Sequence, residues 1–401
     1  MINKKVQLLF VLFFLTSCTQ AKFNNSMTNI DNLETIKIDE KQFSADNSIN
    51  VSSIIESVKY VKLELPPDIL IGRVLNFLVD ESNLRIYLSD KRNVYIFSLS
   101  GSLIKVISSV GEGPTEYSTI SYIDFAPNSG EFVLFDQPSL KLLYYDIDGV
   151  FKESKRVEFP TNVNFGILND NHLTFNFGNL QGMPGINTNL IIVDSTLQIT
   201  DSYIPLTEDR MIGEHFYSRS ALGKLSYTQT FNDTIYSFSE DNKVQASYFI
   251  DFESYRIPKN TGPLSGADIL GDGRYTSYVG QIYRVQETDS LLFFQYLHES
   301  MFKYFIYDKI NKIKQYGILN DNIGIGFLID SYSLSNKQFY SLANPEIIWR
   351  RHENMKDRLN EEEYEKILAD YPDIKEILEE AKSGEDDSNP YLVISNLGRS
   401  H

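Results

Sequence analysis

A unit of strands and turns recurs along this chain, and it restricts the fold more than any other feature of the sequence. Residues 84–107 read LRIYLSDKRNVYIFSLSGSLIKVI, and residues 131–157 read EFVLFDQPSLKLLYYDIDGVFKESKRV. Both alternate strands with Asp- and Gly-containing turns, and the equivalent glycines, Gly101 and Gly149, lie 48 residues apart. A period of about 40–50 residues with four short strands is typical of a β-propeller blade.

Weaker copies of this unit follow in the rest of the chain. They cover residues 163–206, 223–252, 278–319 and 325–350, the last with a strand at 347–350, which makes six units in all. One four-stranded sheet cannot bury both of its faces alone, so successive units must stack around an axis. The 26 Phe and 25 Tyr residues also favour strands. We therefore predict an all-β fold, a six-bladed β-propeller.

One stretch departs from the strand pattern and is predicted to be helical. Within residues 354–383, apolar side chains recur with the spacing of a helix face, as in Tyr364, Ile367, Leu368 and Tyr371. Pro372 breaks the run and suits the first turn of a second helix. We predict a helical hairpin inserted before the last strand, which reads PYLVISN. This final strand and a strand at 58–65 are expected to close the ring together.

The N-terminus has the layout of a secretory signal peptide. Lys4 and Lys5 precede an apolar run at residues 8–15, which is shorter than the ~20 residues of a membrane-spanning helix. The following Leu-Thr-Ser-Cys resembles the lipobox of bacterial lipoproteins, in which the Cys is acylated, and Cys18 is the only cysteine. We predict a signal peptide at 1–17, a tether and lead-in at 18–50 with a short strand at 35–38, and the propeller at 51–400.

Charge and motifs argue against several classes of function. The net charge of −17 makes nucleic acid an unsuitable partner, because phosphate binding needs a basic surface. The histidines are scattered, without the spacing of a zinc site, and no G-x-S-x-G motif occurs. We therefore predict no metal, no cofactor and no catalytic residue. The five histidines are His172, His215, His298, His352 and His401.

A Gly-Glu-Gly-Pro-Thr-Glu-Tyr segment at residues 111–117 supplies the first candidate ligand contacts. It lies between strands and not at a strand-to-helix turn, so it does not predict a dinucleotide loop. If the segment lines one mouth of the propeller, Glu112, Glu116 and Tyr117 would face a ligand. The alternative is a turn that connects two blades and binds nothing.

Two further candidates lie later in the chain. Arg274 follows a Gly-rich stretch at 266–273, whose aspartates lack the EF-hand spacing, so the alternative is a long connection between blades. Trp349 is the only tryptophan and could stack on the apolar face of a sugar. The alternative for Trp349 is packing beneath the helical insertion.

Two segments carry a resemblance to a known family. Residues 90–101, DKRNVYIFSLSG, resemble an NHL-type propeller repeat, and residues 111–117 resemble the G-x-G-P-G-E-Y/F segment of six-bladed β-propeller lipoproteins of Bacteroidota. Thr115 stands where that family usually has Gly. The resemblance implies the propeller fold over about residues 30–400. It implies no particular activity, because most members of the family have none assigned.

These observations leave three hypotheses for the function. The first is a non-enzymatic, lipid-anchored envelope protein whose propeller face or axial funnel binds a protein, peptide or glycan partner. The second, implied by resemblance to other propellers, is a metal-assisted hydrolase or lyase, lactonase-like or glycan-acting. The third is a sensory or chaperone-like role. Carboxylate or Asn side chains that converge in the central tunnel would favour the enzyme, and a plugged tunnel would favour the scaffold.

The residues after Cys18 bear on localisation. Surface-exported lipoproteins of the group that the chain resembles carry acidic residues just after the cysteine, whereas this chain has Thr-Gln-Ala-Lys. We therefore expect an outer-membrane anchor that faces the periplasm.

The lipid anchor can be tested directly with the substitution Cys18→Ala. Removing the acylated thiol should move the protein from the membrane fraction to the soluble fraction, because acyl chains supply the membrane affinity. Ultracentrifugation of cell lysates with immunoblotting measures the distribution. Membrane association that equals that of the wild type would refute the lipoprotein assignment.

Overall fold

Six sheets, each with four antiparallel strands, surround one axis, and their order confirms the predicted six-bladed β-propeller. The computed structural model describes residues 33–38, 48–159, 164–169, 171–179, 187–206, 215–258, 261, 264, 266–271, 273–326, 332–382 and 389–398. Cys18 and the predicted signal peptide lie outside these residues. None of the helices in this part of the chain is long and apolar enough to cross a membrane.

The chain begins with three strands that join blades formed later in the sequence. These strands are β1 (Glu34–Lys37), β2 (Ser48–Asn50) and β3 (Ile55–Lys62). Blade 1 contains β4 (Asn76–Asp80), β5 (Arg85–Ser89), β6 (Val94–Ser98) and β7 (Leu103–Ile107). Blade 2 contains β8 (Tyr122–Phe125), β9 (Phe132–Asp136), β10 (Lys141–Tyr145) and β11 (Phe151–Arg156). Blade 3 contains β12 (Phe165–Asn169), β13 (His172–Asn176), β14 (Thr188–Asp194) and β15 (Ile199–Pro205).

The second half of the ring has the same construction. Blade 4 contains β16 (His215–Arg219), β17 (Leu225–Gln229), β18 (Thr234–Phe238) and β19 (Val244–Asp251). Blade 5 contains β20 (Gln281–Glu287), β21 (Leu291–His298), β22 (Met301–Asp308) and β23 (Ile313–Asn320). Blade 6 contains β24 (Tyr332–Leu334), β25 (Gln338–Ala343) and β26 (Tyr391–Leu397), with β3 as its outermost strand.

The repeated Asp and Gly residues have local structural roles in the turns. The Asp90 carboxylate accepts hydrogen bonds from the N–H groups of Arg92 (2.6 Å) and Asn93 (2.7 Å), which fixes the turn between β5 and β6. Gly101 and Gly149 have φ of +90° and +78°, a backbone conformation that favours glycine. The positive φ explains why glycine recurs at these two positions, whereas Asp136, which aligns with Asp90, accepts from the N–H and hydroxyl of Ser118 (both 2.7 Å) and not from its own turn.

The ring closes through strands from both ends of the described chain. The final strand, β26, pairs antiparallel with β3 from Tyr391↔Lys62 to Leu397↔Ile55. This pairing confirms the predicted closure, although the N-terminal strand occupies 55–62 and not 58–65. Because β3 comes from the N-terminal side and β26 from the C-terminal side, blade 6 holds the ring shut.

The N-terminal lead-in contributes to two more blades. β1 pairs in parallel with β19 of blade 4, and β2 pairs in parallel with β23 of blade 5. Ile36, Ile38 and Ile49 are buried. The strand predicted at 35–38 is therefore present at 34–37. The predicted lead-in at 18–50 also holds β2, which was not predicted because three residues are too few for a visible alternation.

The helical insertion is larger than predicted and contains three helices, α1 (Pro345–Lys356), α2 (Glu361–Asp370) and α3 (Pro372–Lys382). The predicted strand at 347–350 is wrong, and the insertion starts well before residue 354. Asn344 caps α1 by accepting from the Glu346 N–H (2.9 Å), and Pro345 occupies the first turn. The run Ile-Ile-Trp inside this helix has the composition of a strand, and the prediction did not take the N-cap residue Asn344 into account.

The insertion packs onto blade 6 and extends its core. Ile348 of α1 and Ile374 and Ile377 of α3 are buried in one apolar cluster with Val58 and Val393 of the sheet. Tyr371 donates its hydroxyl hydrogen to the carbonyl of Ile55 (3.1 Å). The helices are therefore part of the folded body and not an appended hairpin.

The contribution of β1 to stability can be measured with Ile36→Ala. Ile36 is 1% exposed, so its truncation should lower the free energy of unfolding by about 2 kcal/mol or more. Thr35→Ala, in the same strand but with an exposed side chain, should change it by less than ~0.5 kcal/mol. Urea denaturation followed by circular dichroism gives both values. Equal effects of the two variants would show that β1 does not dock as described.

Candidate functional site

A buried ion pair closes the propeller axis near one end. Arg219, the last residue of β16, donates from Nε and Nη2 to the two carboxylate oxygens of Asp124 in β8, at 2.5 and 2.6 Å. The two side chains are 2% and 1% exposed. Paired hydrogen bonds between guanidinium and carboxylate are the strongest form of ion pair in proteins. This pair joins blade 4 to blade 2.

Blade 3, which lies between them, supplies backbone partners to the same pair. The Ile167 N–H donates to Asp124 Oδ2 (2.8 Å), and the Ile167 carbonyl accepts from Arg219 Nη2. Arg219 Nη1 also donates to the Gly223 carbonyl (2.7 Å). A buried ion pair is tolerated when its remaining donors and acceptors are satisfied, and these contacts satisfy them.

Three more blades are connected through neighbouring groups. Gln286 of β20 donates to the Arg219 carbonyl (3.2 Å) and accepts from the Leu334 N–H (3.1 Å). Ala221 donates its N–H to the Leu334 carbonyl (3.0 Å) and accepts from the Glu81 N–H (3.1 Å). All six blades thus meet in one polar network, which we call the axial hub. It comprises Glu81, Asp124, Ile167, Arg219, Ala221, Gln286 and Leu334.

The axial hub determines what chemistry this end of the tunnel can support. Asp124, its buried carboxylate, is already bonded to Arg219 and to the Ile167 N–H. Within the described residues, no group of three or more His, Cys, Asp or Glu side chains is placed to hold a metal ion. At this end of the axis the buried Asp124 carboxylate is therefore engaged by the protein's own groups.

The opposite end of the axis carries the connections between blades, and we call it the connector face. Each inner strand starts there, and the turn between the second and third strands returns there, as the pairing of Leu297 with both Gln281 and Phe302 illustrates in blade 5. The five candidate ligand residues lie on three separate connections at this end of the blades. Glu112, Glu116 and Tyr117 follow blade 1, Arg274 precedes blade 5, and Trp349 lies in the insertion of blade 6.

The first connection is held in place by its own glutamate. Glu116 folds back and accepts a hydrogen bond from the Gly113 N–H (2.8 Å). A side chain on Gly111 would place its Cβ 2.1 Å from Glu116 Oε2, so the Glu116 carboxylate would have to move from this position. Lys141 of blade 2 donates to the carbonyls of Gly113 (3.1 Å) and Glu116. The Gly-x-Gly pattern therefore serves a braced connection between blades.

Tyr117 points into the protein and not towards the connector face. It is 0% exposed, its single hydroxyl hydrogen is shared between the carbonyls of Arg92 (2.7 Å) and Ile107 (3.1 Å), and its oxygen accepts from the Ser109 N–H (3.2 Å). Burial raises the pKa of this hydroxyl. Tyr117 thus has no exposed surface for a ligand, whereas Glu112 is exposed.

The other two candidates differ in accessibility. Arg274 forms an ion pair with Asp268 (2.7 Å) and keeps 63% of its side chain exposed. Trp349 is partly buried against the cluster that contains Ile348, and its buried indole N–H has no hydrogen-bond partner in the described structure. Trp349 thus packs against the apolar core as the alternative above predicts, but as part of helix α1 of the insertion and not from beneath it.

An aromatic cluster on the connector face was not predicted from the sequence. The ring of Tyr283 lies 5.1 Å from that of Phe216 and 5.3 Å from that of Phe302, measured between centroids. Phe302 is 44% exposed, and its neighbour Met301 is 40% exposed. The three rings, which we call the aromatic cluster, stand near the connector ends of β16, β20 and β22. In the sequence, each of these aromatic residues is an ordinary member of a strand. Their proximity depends on the packing of blade 4 against blade 5, which the sequence does not show.

A buried Lys–His pair beside this cluster was also not predicted from the sequence. Lys303 Nζ lies 2.9 Å from His298 Nδ1, and His298 Nε2 lies 3.1 Å from the Ser277 carbonyl. Burial, with Lys303 alongside, lowers the pKa of His298 to about 4, and burial lowers the pKa of Lys303. Near neutral pH the neutral imidazole donates to Ser277 and accepts from the ammonium group. The pair thus fixes the connection before blade 5 to the β21–β22 turn.

The sequence of this chain matches one protein family. A family described as Domain of unknown function (DUF4934) matches residues 33–396, which covers nearly the whole chain. The chain belongs to this family. No functionally curated protein matches it.

Two solved structures have a similar fold at low identity. One is a protein of Bacteroides fragilis NCTC 9343 described as exported, with a TM-score of 0.67, 19% identity, and coverage of 92% of this chain and 100% of that protein. The other is a member of the DUF4221 family from Bacteroides vulgatus ATCC 8482, with a TM-score of 0.52, 11% identity, and coverage of 86% and 97%. At these identities the likeness concerns the fold alone.

The role of the axial hub can be tested with Arg219→Met. This change leaves the Asp124 carboxylate buried without its cation, so the free energy of unfolding should fall by about 3–5 kcal/mol. The double variant Arg219→Met/Asp124→Leu should recover most of the loss, because no charge is then stranded. Urea denaturation measures all three proteins.

A matched control for this series is Lys224→Met. Lys224 pairs with Asp289 at 2.8 Å, but the two side chains are 41% and 73% exposed, so the loss should stay below about 1 kcal/mol. A loss for Arg219→Met no larger than that for Lys224→Met would contradict the role assigned to the hub.

Proposed function

We propose that this protein is a lipid-anchored scaffold of the cell envelope that binds a protein, peptide or glycan partner through the connector face. The observation that carries the proposal is the pairing of Asp124 with Arg219 in the axial hub. A propeller enzyme of the alternative kind would need free carboxylates converging in the tunnel, whereas this buried carboxylate is neutralised by the chain itself.

The connector face has the properties of a binding surface. Connections from all six blades converge there on a rigid support. The aromatic cluster adds exposed apolar area, and aromatic side chains contribute strongly to contacts with proteins and with the apolar faces of sugars. Glu112, on the connection after blade 1, and Arg274, on the connection before blade 5, add exposed charges of both signs elsewhere on this face.

The proposed location rests on the N-terminal sequence. The Leu-Thr-Ser-Cys segment supports acylation at Cys18, and the absence of acidic residues after it supports an outer-membrane anchor that faces the periplasm. The fold shared with an exported Bacteroides fragilis protein is consistent with a place in the envelope.

The proposal can be tested by capture from a solubilised envelope fraction of the producing organism, followed by mass spectrometry. Phe302→Ser removes an exposed ring of the aromatic cluster and should abolish enrichment of the partner. Ile310→Ser removes an exposed side chain at the opposite end of blade 5, 73% exposed, and should leave enrichment unchanged. Equal capture by both variants would contradict the use of the connector face. A captured glycan that changes in mass during incubation would instead establish an enzyme.

A further inference from the structure

Each of the six blades has an outer edge strand whose backbone could pair with another chain. An edge strand presents N–H and C=O groups that can pair with another chain, and native proteins normally cover such edges or place charges and prolines along them. Comparison of the six edges shows which of them this protein protects and how.

Three of the edges are covered by other parts of the chain. β1 lies along blade 4 and β2 along blade 5, both in parallel orientation. The edge of blade 6 is β3, and α3 packs against it, with Lys62 of β3 bonded to Glu380 of α3 at 3.1 Å.

Two more edges are protected by their side chains. β11 of blade 2 reads FKESKR, and its charged residues give the edge the composition that discourages pairing. β15 of blade 3 carries Asp201 and ends in Pro205. A proline cannot donate a backbone hydrogen bond to a further strand, and a charge on the edge discourages pairing.

Blade 1 has the least protected edge. Its outer strand, β7, reads LIKVI; Leu103, Ile104 and Val106 are half-buried, and Lys105 is the only charged residue. Val110, just beyond the strand, is 45% exposed. In the part of the chain that the structure describes, no strand pairs with the outer side of β7. With five residues, β7 is long enough to pair with a strand of the length of β1 (four residues) or β2 (three residues).

We propose that the outer edge of β7 binds an extended segment of a partner protein as a fifth, parallel strand of blade 1. The chemistry of this segment follows from the two segments with which the chain itself completes blades 4 and 5. Thr35-Ile36-Lys37 and Ser48-Ile49-Asn50 both place an isoleucine between polar residues. Ile36 and Ile49 are 1% and 4% exposed, and the flanking residues stay exposed.

The partner segment therefore alternates an aliphatic residue with polar ones. Backbone hydrogen bonds supply much of the affinity in this mode, and the aliphatic side chain supplies specificity. Exposed Lys105 in the middle of β7 favours an acidic residue among the polar ones. This edge site is separate from the aromatic cluster on the connector face, so it stands or falls independently of the proposed function.

The test uses the full chain and a synthetic peptide, Leu-Glu-Thr-Ile-Glu-Ile, which is the sequence of residues 33–38 with Glu in place of Lys37. Hydrogen–deuterium exchange with mass spectrometry should show slower exchange at residues 103–107 when the peptide is added. A peptide with Asp in place of the central Ile should give no protection. Ile104→Lys, which makes β7 resemble the charged β11, should raise the peptide concentration for half-maximal protection at least tenfold.

Two further variants keep the test decisive. Ser154→Lys introduces a lysine into the edge strand β11 instead of β7, and it should leave the protection of residues 103–107 unaltered. Lys105→Glu changes an exposed side chain and should weaken binding of the acidic peptide even if Ile104→Lys fails to fold. Protection at β19, protection that survives in both β7 variants, or no protection would overturn the proposal. Protection of β7 that rises with protein concentration without peptide would assign the edge to a second copy of this chain.

Discussion

The buried pair of Arg219 and Asp124 is the interaction on which the rest of this structure depends. In a propeller the inner strands of all blades converge, and here the groups that meet at one end of the axis are buried, as the exposures of Arg219 (4%) and Asp124 (1%) show. An unsatisfied buried N–H or C=O group is costly, so each needs a partner. The side chains of the axial hub supply these partners to the backbone of Ile167, Leu334 and Arg219 itself. The ion pair is therefore a means of closing the inner edges of the sheets.

The same constraint operates at the outer rim, where the chain solves it differently. One N-terminal segment contains the strands β1, β2 and β3, which pair with blades 4, 5 and 6, respectively. Helix α3 then covers the edge that β3 creates. The N-terminal part of the chain thus joins three consecutive blades, and the closure of the ring at blade 6 does not depend on a single hairpin.

The features that follow from local sequence were predictable, and those that depend on contacts between blades were not. The period set by Gly101 and Gly149 predicts the blades because turn chemistry is local. Helix α1 was missed because its apolar run has the composition of a strand and its cap, Asn344, is one residue. Arg219 and Asp124 lie 95 positions apart in the sequence, and no local pattern connects them. The orientation of Tyr117 depends on the braced loop around Glu116, which sequence alone does not show.

The function that we propose for this protein is recognition of a partner on a rigid support. One end of the axis holds the hub, while the other carries the aromatic cluster and the connections between blades. The connector face and the edge of blade 1 lie outside the hub and are accessible for contacts.

Native-state hydrogen exchange of the amides that serve the hub tests the central claim most directly. If the hub holds the blades together, the N–H groups of Ile167, Ala221 and Leu334 should exchange only through global unfolding. Their opening free energies should then equal the free energy of unfolding measured with urea, and they should fall together in Arg219→Met. Exchange of these amides through independent local openings, at free energies well below that of global unfolding, would contradict the account.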